Sequence, residues 1–225
     1  MTIAEQFTPR RRFTLLLLAL LSMLFAPVLL PDELDGVIGP VLFTVVLLSA
    51  LAAVANTRRR MAFATAFAIP GCGLMVAASF VHTPSMISAS SMVATLFLIY
   101  AAAAILDFVF RAHRVDASVI LGSLCVYILM AVIWGEFYGL IQLHWPGSLM
   151  LPPTDSARGI RSLLEYFSFV TITTVGYGEI YPVSPLARAT AATEALIGQL
   201  YLVVLVARLV GLHTAQEARE KSEKS

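Results

Sequence analysis

The chain has 225 residues, of which 59% are hydrophobic and only 13% charged, against about 25% charged in soluble domains. That balance excludes an ordinary soluble domain. The formal charge is +1, and the Lys and Arg residues are sorted along the chain rather than gathered on one basic surface, so the charge gives no sign of nucleic acid and no such partner is expected. Cys72 and Cys125 fall in separate apolar runs without CxxC spacing, so both read as small buried hydrophobes rather than as metal ligands or a redox pair.

The first element begins with Arg10, Arg11 and Phe13 ahead of a leucine-rich stretch, which imitates an export signal. The apolar run over 13–30 is longer than a signal core of about 7 to 15 residues and no A-x-A-like cleavage site follows, so it is expected to stay as a transmembrane helix. Five more apolar runs, 37–55, 61–81, 89–110, 117–143 and 186–212, are each long enough to cross a ~30 Å hydrocarbon core. Short connections carry turn residues at Pro31-Asp32, Asp35-Gly36, Asn56 and Thr83-Pro84-Ser85. Arg10 to Arg12, Arg58 to Arg60, and Arg111 with Arg114 occupy alternate connections, which puts that face and both termini in the cytoplasm. Within the third run, Ile69-Pro70-Gly71-Cys72-Gly73 predicts a kink, since proline removes a backbone hydrogen bond. A broken helix also marks transporter binding sites, but no second one stands in a matching position.

The connection between the fifth and sixth runs is far longer than the others, and its second half is amphipathic. Ile160, Leu163, Leu164, Phe167 and residues 170–172 form an apolar face, with Arg161 and Glu165 four apart and able to pair. Too short to span, this segment is expected to be a re-entrant half-helix, which the membrane tolerates only where its backbone meets protein or water. Immediately after it come Thr174, Val175, Gly176, Tyr177 and Gly178.

This pentapeptide, between a half-helix and a full span, resembles the selectivity filter of the potassium channel family. The resemblance covers that family's pore module from end to end and its six-span layout. It implies an all-α polytopic membrane protein: six transmembrane helices, a re-entrant pore helix and filter, and a homotetramer, because one filter per chain requires four chains around an axis. K+ would be the permeant ion, held by carbonyl oxygens of Thr174, Val175, Gly176 and Tyr177 and by the Thr174 hydroxyl, with Gly176 and Gly178 supplying left-handed backbone. No cofactor is implied, and the other partner is membrane lipid of the plasma or inner membrane. Tyr177 is expected to pack on the pore helix at Tyr166 and Phe167. Glu179 stands where many relatives have aspartate, and Val170 offers no ionisable group behind the filter. Glu136 resembles a glutamate that braces the pore loop in voltage-gated relatives; a water-exposed carboxylate is the alternative.

Gly198, twenty residues after Gly178, matches a glycine proposed in the family as the inner-helix hinge, with close packing as the other reading. The same register lines the cavity with Gln199, Leu202 and Val206. Glu194 is expected to face protein behind the filter, and Arg208 to snorkel to the interface. Asp107 and Arg111 are spaced to pair. The layout divides into a cytoplasmic N-terminus (1–12), a four-helix peripheral unit (13–114), a pore unit (117–212) and a cytoplasmic tail (213–225). The fourth run contains no Lys or Arg, which disfavours steep voltage gating. No nucleophile, base and orienting group converge, so no enzymatic activity is expected. A weakly selective cation pore and a potassium-uptake transporter subunit are the remaining readings.

Overall fold

The computed structural model describes residues 9–29, 35–54, 62, 65, 66, 73, 83–153 and 157–223. The third apolar run, the Ile69 to Gly73 break, Arg58 to Arg60 and His82 lie almost wholly outside these residues. The described elements are helices α1 (Pro9–Leu29), α2 (Asp35–Val54), α3 (Pro84–Arg111) and α4 (Ala117–His144), strand β1 (Leu149–Met150), helix α5 (Ala157–Ile172), strand β2 (Tyr181–Pro182) and helix α6 (Pro185–Glu223). Among the described residues, three helices are long and apolar enough to cross a membrane: Ser85–Arg111, Ala117–His144 and Pro185–Ala218.

Local sequence explains the helix limits. Thr83 is extended (φ −86°, ψ 137°) and Pro84 follows in the first helical turn, where its missing N–H and fixed φ carry no penalty. For that reason α3 starts several residues before the expected 89. Asp116 caps α4 by accepting a hydrogen bond from the Val119 amide at 2.9 Å. The helix α6 departs most from expectation: it continues unbroken through the segment read as a separate tail. Residues 212–223 contain neither glycine nor proline, and His213 and Glu217 approach at 3.3 Å one turn apart, so nothing in the backbone stops propagation.

Buried positions on α1 (Phe13, Leu16, Leu20, Met23) and on α3 (Ala94, Phe97, Leu98, Ala101, Ile105, Val109) recur at three- and four-residue spacing, which lines one stripe of each helix. The stripes meet Phe43, Val46, Leu47 and Ala50 of α2 and Val126, Leu129 and Ile133 of α4 in one apolar cluster, which reaches Leu205 of α6. Close approach of α3 to α4 uses Gly122, where an added Cβ would already touch Ile105 and Val109 at 3.4 Å. A second cluster, at the other end of α4, joins Tyr138 and Ile141 to Leu149, Leu164, Phe167, Ile180 and Ala187. It fixes α5 between α4 and the start of α6. The two strands pair antiparallel, Leu149 with Pro182 and Met150 with Tyr181, and the Ser148 carbonyl accepts from Val183 N at 2.8 Å. The segment after the pentapeptide is thereby tied to the loop preceding α5.

Candidate functional site

Ile172 and Ile180 are buried, and every residue from 173 to 179 between them is exposed in the single chain. The segment is thus a short span of backbone anchored by one isoleucine at each end. Its geometry starts at the α5 C-terminus, where the Val170 carbonyl accepts from both Val175 N (2.9 Å) and Gly176 N (3.1 Å). These bonds satisfy the carbonyl and reverse the chain, as helix-ending motifs do. Three alternate residues then have positive φ: Thr174 at 61°, Gly176 at 56° and Gly178 at 94°. Nothing lies within 4 Å of a Cβ added at either glycine, so conformation rather than space calls for glycine there. Thr174 has no such freedom. A β-branched residue in the left-handed region is strained by about 1–2 kcal/mol, and strain of this kind collects at functional sites.

The surrounding residues hold this backbone from behind. The Tyr166 hydroxyl donates to the Glu179 carboxylate, which only accepts when ionised. Phe167 packs edge-on against Tyr138 with ring centroids 4.9 Å apart. At the base, Tyr127 Oη donates to the Ile172 carbonyl at 3.0 Å, and Tyr127 stacks on Tyr201 of α6. Gly198 meets the same residue from the other side, where a Cβ would lie 2.9 Å from Ile172 O and 2.5 Å from its Cγ1. Packing therefore requires glycine at 198 whether or not α6 bends there.

A charged cluster links α2, α4 and α5. Arg161 pairs with Glu136 of α4 and, at 3.2 Å, with Glu165 one turn along its own helix. Its guanidinium also lies 4.6 Å from the centroid of the Phe43 ring of α2. Glu136 is buried, so the carboxylate faces protein and its ion pair ties the C-terminal half of α4 to α5. Glu194 is fully buried, at 0% exposure, with Tyr138 Oη 2.5 Å from its Oε2 and Ser168 Oγ 2.5 Å from its Oε1. Asp107 and Arg111 pair at 2.6 Å. No cluster of three or more His, Cys, Asp or Glu that could hold a metal occurs among the described residues.

One expectation is corrected. Tyr177 does not pack on Tyr166 and Phe167 within its own chain: it is 72% exposed, because Tyr166 is engaged by Glu179 and Phe167 is turned toward Tyr138. Arg208 reaches the end of α3. It donates to the C-terminal carbonyls of α3, Phe110 at 2.5 Å and Ala112 at 3.0 Å, because a helix C-terminus presents unpaired carbonyls with partial negative charge. Gln199, Leu202 and Val206 all lie on exposed parts of α6 in the single chain. Sequence reasoning missed Tyr127, Tyr138, Ser168 and Tyr201. The one signal was that each places a hydroxyl within an apolar run, where a polar group must find a partner.

Residues 161–214 match the family described as "Ion channel", a segment that begins in α5 and ends within α6. Over 101 residues the chain is 29% identical to Protein LctB of Bacillus caldotenax, covering 44% of this chain and 75% of that protein. No solved structure matches the chain. The family match falls on the strained pentapeptide and the helices that frame it, and it supports passive ion conduction by a helical membrane protein.

Proposed function

We propose that the chain is one subunit of a homotetrameric, potassium-selective channel of the plasma or inner membrane, with six spans, both termini cytoplasmic and residues 174–178 as its filter. The observation that carries the reading is the left-handed backbone at Thr174, Gly176 and Gly178, within the sequence that resembles the potassium channel filter. Left-handed backbone at alternate residues allows successive carbonyls to face one axis, where they replace the water shell of an ion. The exposure of 173–179 supports the tetramer, since bare backbone at membrane depth is tolerated only against protein or water. Exposed apolar side chains along α6, among them Leu196, Leu200, Val203 and Val206, offer the surface for neighbouring copies and for the cavity. The C-terminus of α5 lies directly beneath the filter and carries about half a negative charge, which favours a cation without choosing which one. Selectivity is assigned to the filter.

Liposome flux for potassium, rubidium and sodium tests the reading. Wild type is expected to pass potassium and rubidium over sodium. Gly178→Ala, which places a Cβ on a residue at φ 94°, and Tyr177→Asp are each expected to abolish potassium preference or conduction. Potassium-selective flux persisting in both variants would sink the filter assignment, and equal sodium and potassium flux in wild type would establish a weakly selective cation pore instead.

A further inference from the structure

Glu194 is a carboxyl group buried in an apolar span, and none of the ion pairs among the described residues includes it. Its hydrogen bonds can be assigned proton by proton. Ser168 Oγ lies 2.6 Å from the Ala131 carbonyl oxygen of α4 and 2.5 Å from Glu194 Oε1. A carbonyl oxygen only accepts, so the single Ser168 proton must lie on the axis to Ala131; without it two lone pairs would face each other at that distance. The axis from Ser168 to Glu194 then needs a proton of its own, and Glu194 is its only source. On the third axis Tyr138 Oη, 2.5 Å from Oε2, donates its phenolic proton. Three short axes thus take three protons, one from each residue, and every buried polar atom in the set is satisfied. An ionised carboxylate would leave one axis empty and a bare charge in an apolar span, where burial without a cation is costly.

We infer that Glu194 is a neutral carboxylic acid whose proton completes a hydrogen-bonded crosspiece joining α6 to the pore helix and, through Ser168 and Tyr138, to α4, so that it positions the pore helix beneath the pentapeptide. Ser168 lies on α5 four residues before Ile172, the buried anchor of the exposed segment. The crosspiece therefore sets where that anchor sits relative to α6. Glu194 touches no conducting atom and acts through the pore helix. Its consequence for selectivity rests on the channel reading above, whereas its protonation state does not.

Infrared difference spectroscopy on the full chain in lipid vesicles at neutral pH tests the assignment without any flux. The wild-type minus Glu194→Gln spectrum is expected to show the loss of a protonated carboxyl C=O stretch and no loss of carboxylate bands. Tyr138→Phe removes the donor to Oε2 and is expected to move the same band to higher frequency, which keeps the test open should Glu194→Gln fold poorly. Loss of carboxylate bands instead, or a band indifferent to Tyr138→Phe, overturns the assignment. Flux then tests positioning. Glutamine can donate to Ser168 and accept from Tyr138, so Glu194→Gln is expected to keep the wild-type ratio of potassium to sodium flux, while Glu194→Ala lowers it several-fold. Equal loss in both variants overturns the positioning role. Wild type that shows the acid band but no selective flux rejects the channel reading and leaves the neutral acid standing.

Discussion

At Gly198 an added methyl would lie 2.9 Å from a backbone oxygen and 2.5 Å from Ile172 Cγ1, and the oxygen belongs to the residue that anchors the base of the exposed segment. The side-chain contact can relax by rotation, but the carbonyl cannot move without carrying the end of α5 with it. Overpacking of this kind destabilises by about 1–3 kcal/mol. Gly198→Ala is therefore expected to lower the melting temperature of the assembled protein and to change single-channel conductance. A pure hinge would change open probability alone, so a Gly198→Ala variant with wild-type conductance and altered open probability would remove the packing argument. Arg161 gives a second prediction at this scale. Its replacement by methionine leaves Glu136 buried and without its cation, and breaking one side of a buried pair costs about 3–5 kcal/mol. Because Glu165 is buried as well and loses the same cation, Arg161→Met is expected to lose most folded protein in a detergent melt, and a triple Arg161→Met, Glu136→Gln, Glu165→Gln variant to recover much of it.

Helix α6 is held at two levels, and the two are chemically different. In its first half it is fastened to α4 and α5 through Glu194 and Gly198; toward its C-terminal end it is fastened to the α3–α4 connection. There Arg208 caps the last carbonyls of α3 and stacks on Phe110, 5.2 Å from its centroid, while Gln216 Oε1 accepts from Val115 N at 3.0 Å. Hydrogen bonds from a charged donor contribute about 1.5–3 kcal/mol. Arg208→Gln is expected to lower the thermal midpoint and to raise amide hydrogen exchange at the end of α6 and across 109–115, with the first half of α6 unchanged. Uniform exchange changes along the whole of α6 would show that the two fastenings are not independent.

For the molecule as a whole, a membrane field would act on few mobile charges. The α3 segment from 84 to 110 carries no Lys or Arg, and Arg111, at the end of the helix, pairs with Asp107 and is largely exposed. A charge carried through the field couples at about 2.3 kcal/mol per 100 mV, and a residue at the helix end crosses little of it. Arg111→Gln and Arg114→Gln are expected to leave the conductance–voltage relation unshifted; a displacement of tens of millivolts by either would identify a sensor. Mass in detergent, near four times 24.3 kDa, is expected for the assembled channel, and a monomer would favour a transporter subunit.

Several features needed only the order of residues. The spans now seen as α3 and α4, the amphipathic half-helix, and the pairing of Arg161 with Glu165 and of Asp107 with Arg111 follow from periodicity and spacing within a few residues, while the left-handed backbone at Gly176 and Gly178 is what the resemblance to a filter implies. The tertiary structure decided what depends on partners far apart in the chain. Ser168 meets Glu194, Tyr127 meets Ile172, and Arg208 meets the end of α3 across separations of 26, 45 and about a hundred residues. No local pattern encodes such meetings, because helix packing alone sets which hydroxyl or guanidinium arrives opposite which oxygen. Thr174 is the intermediate case: its sequence position marked it as a ligand, but only the fold, which anchors the chain on either side, holds a β-branched residue in the left-handed region.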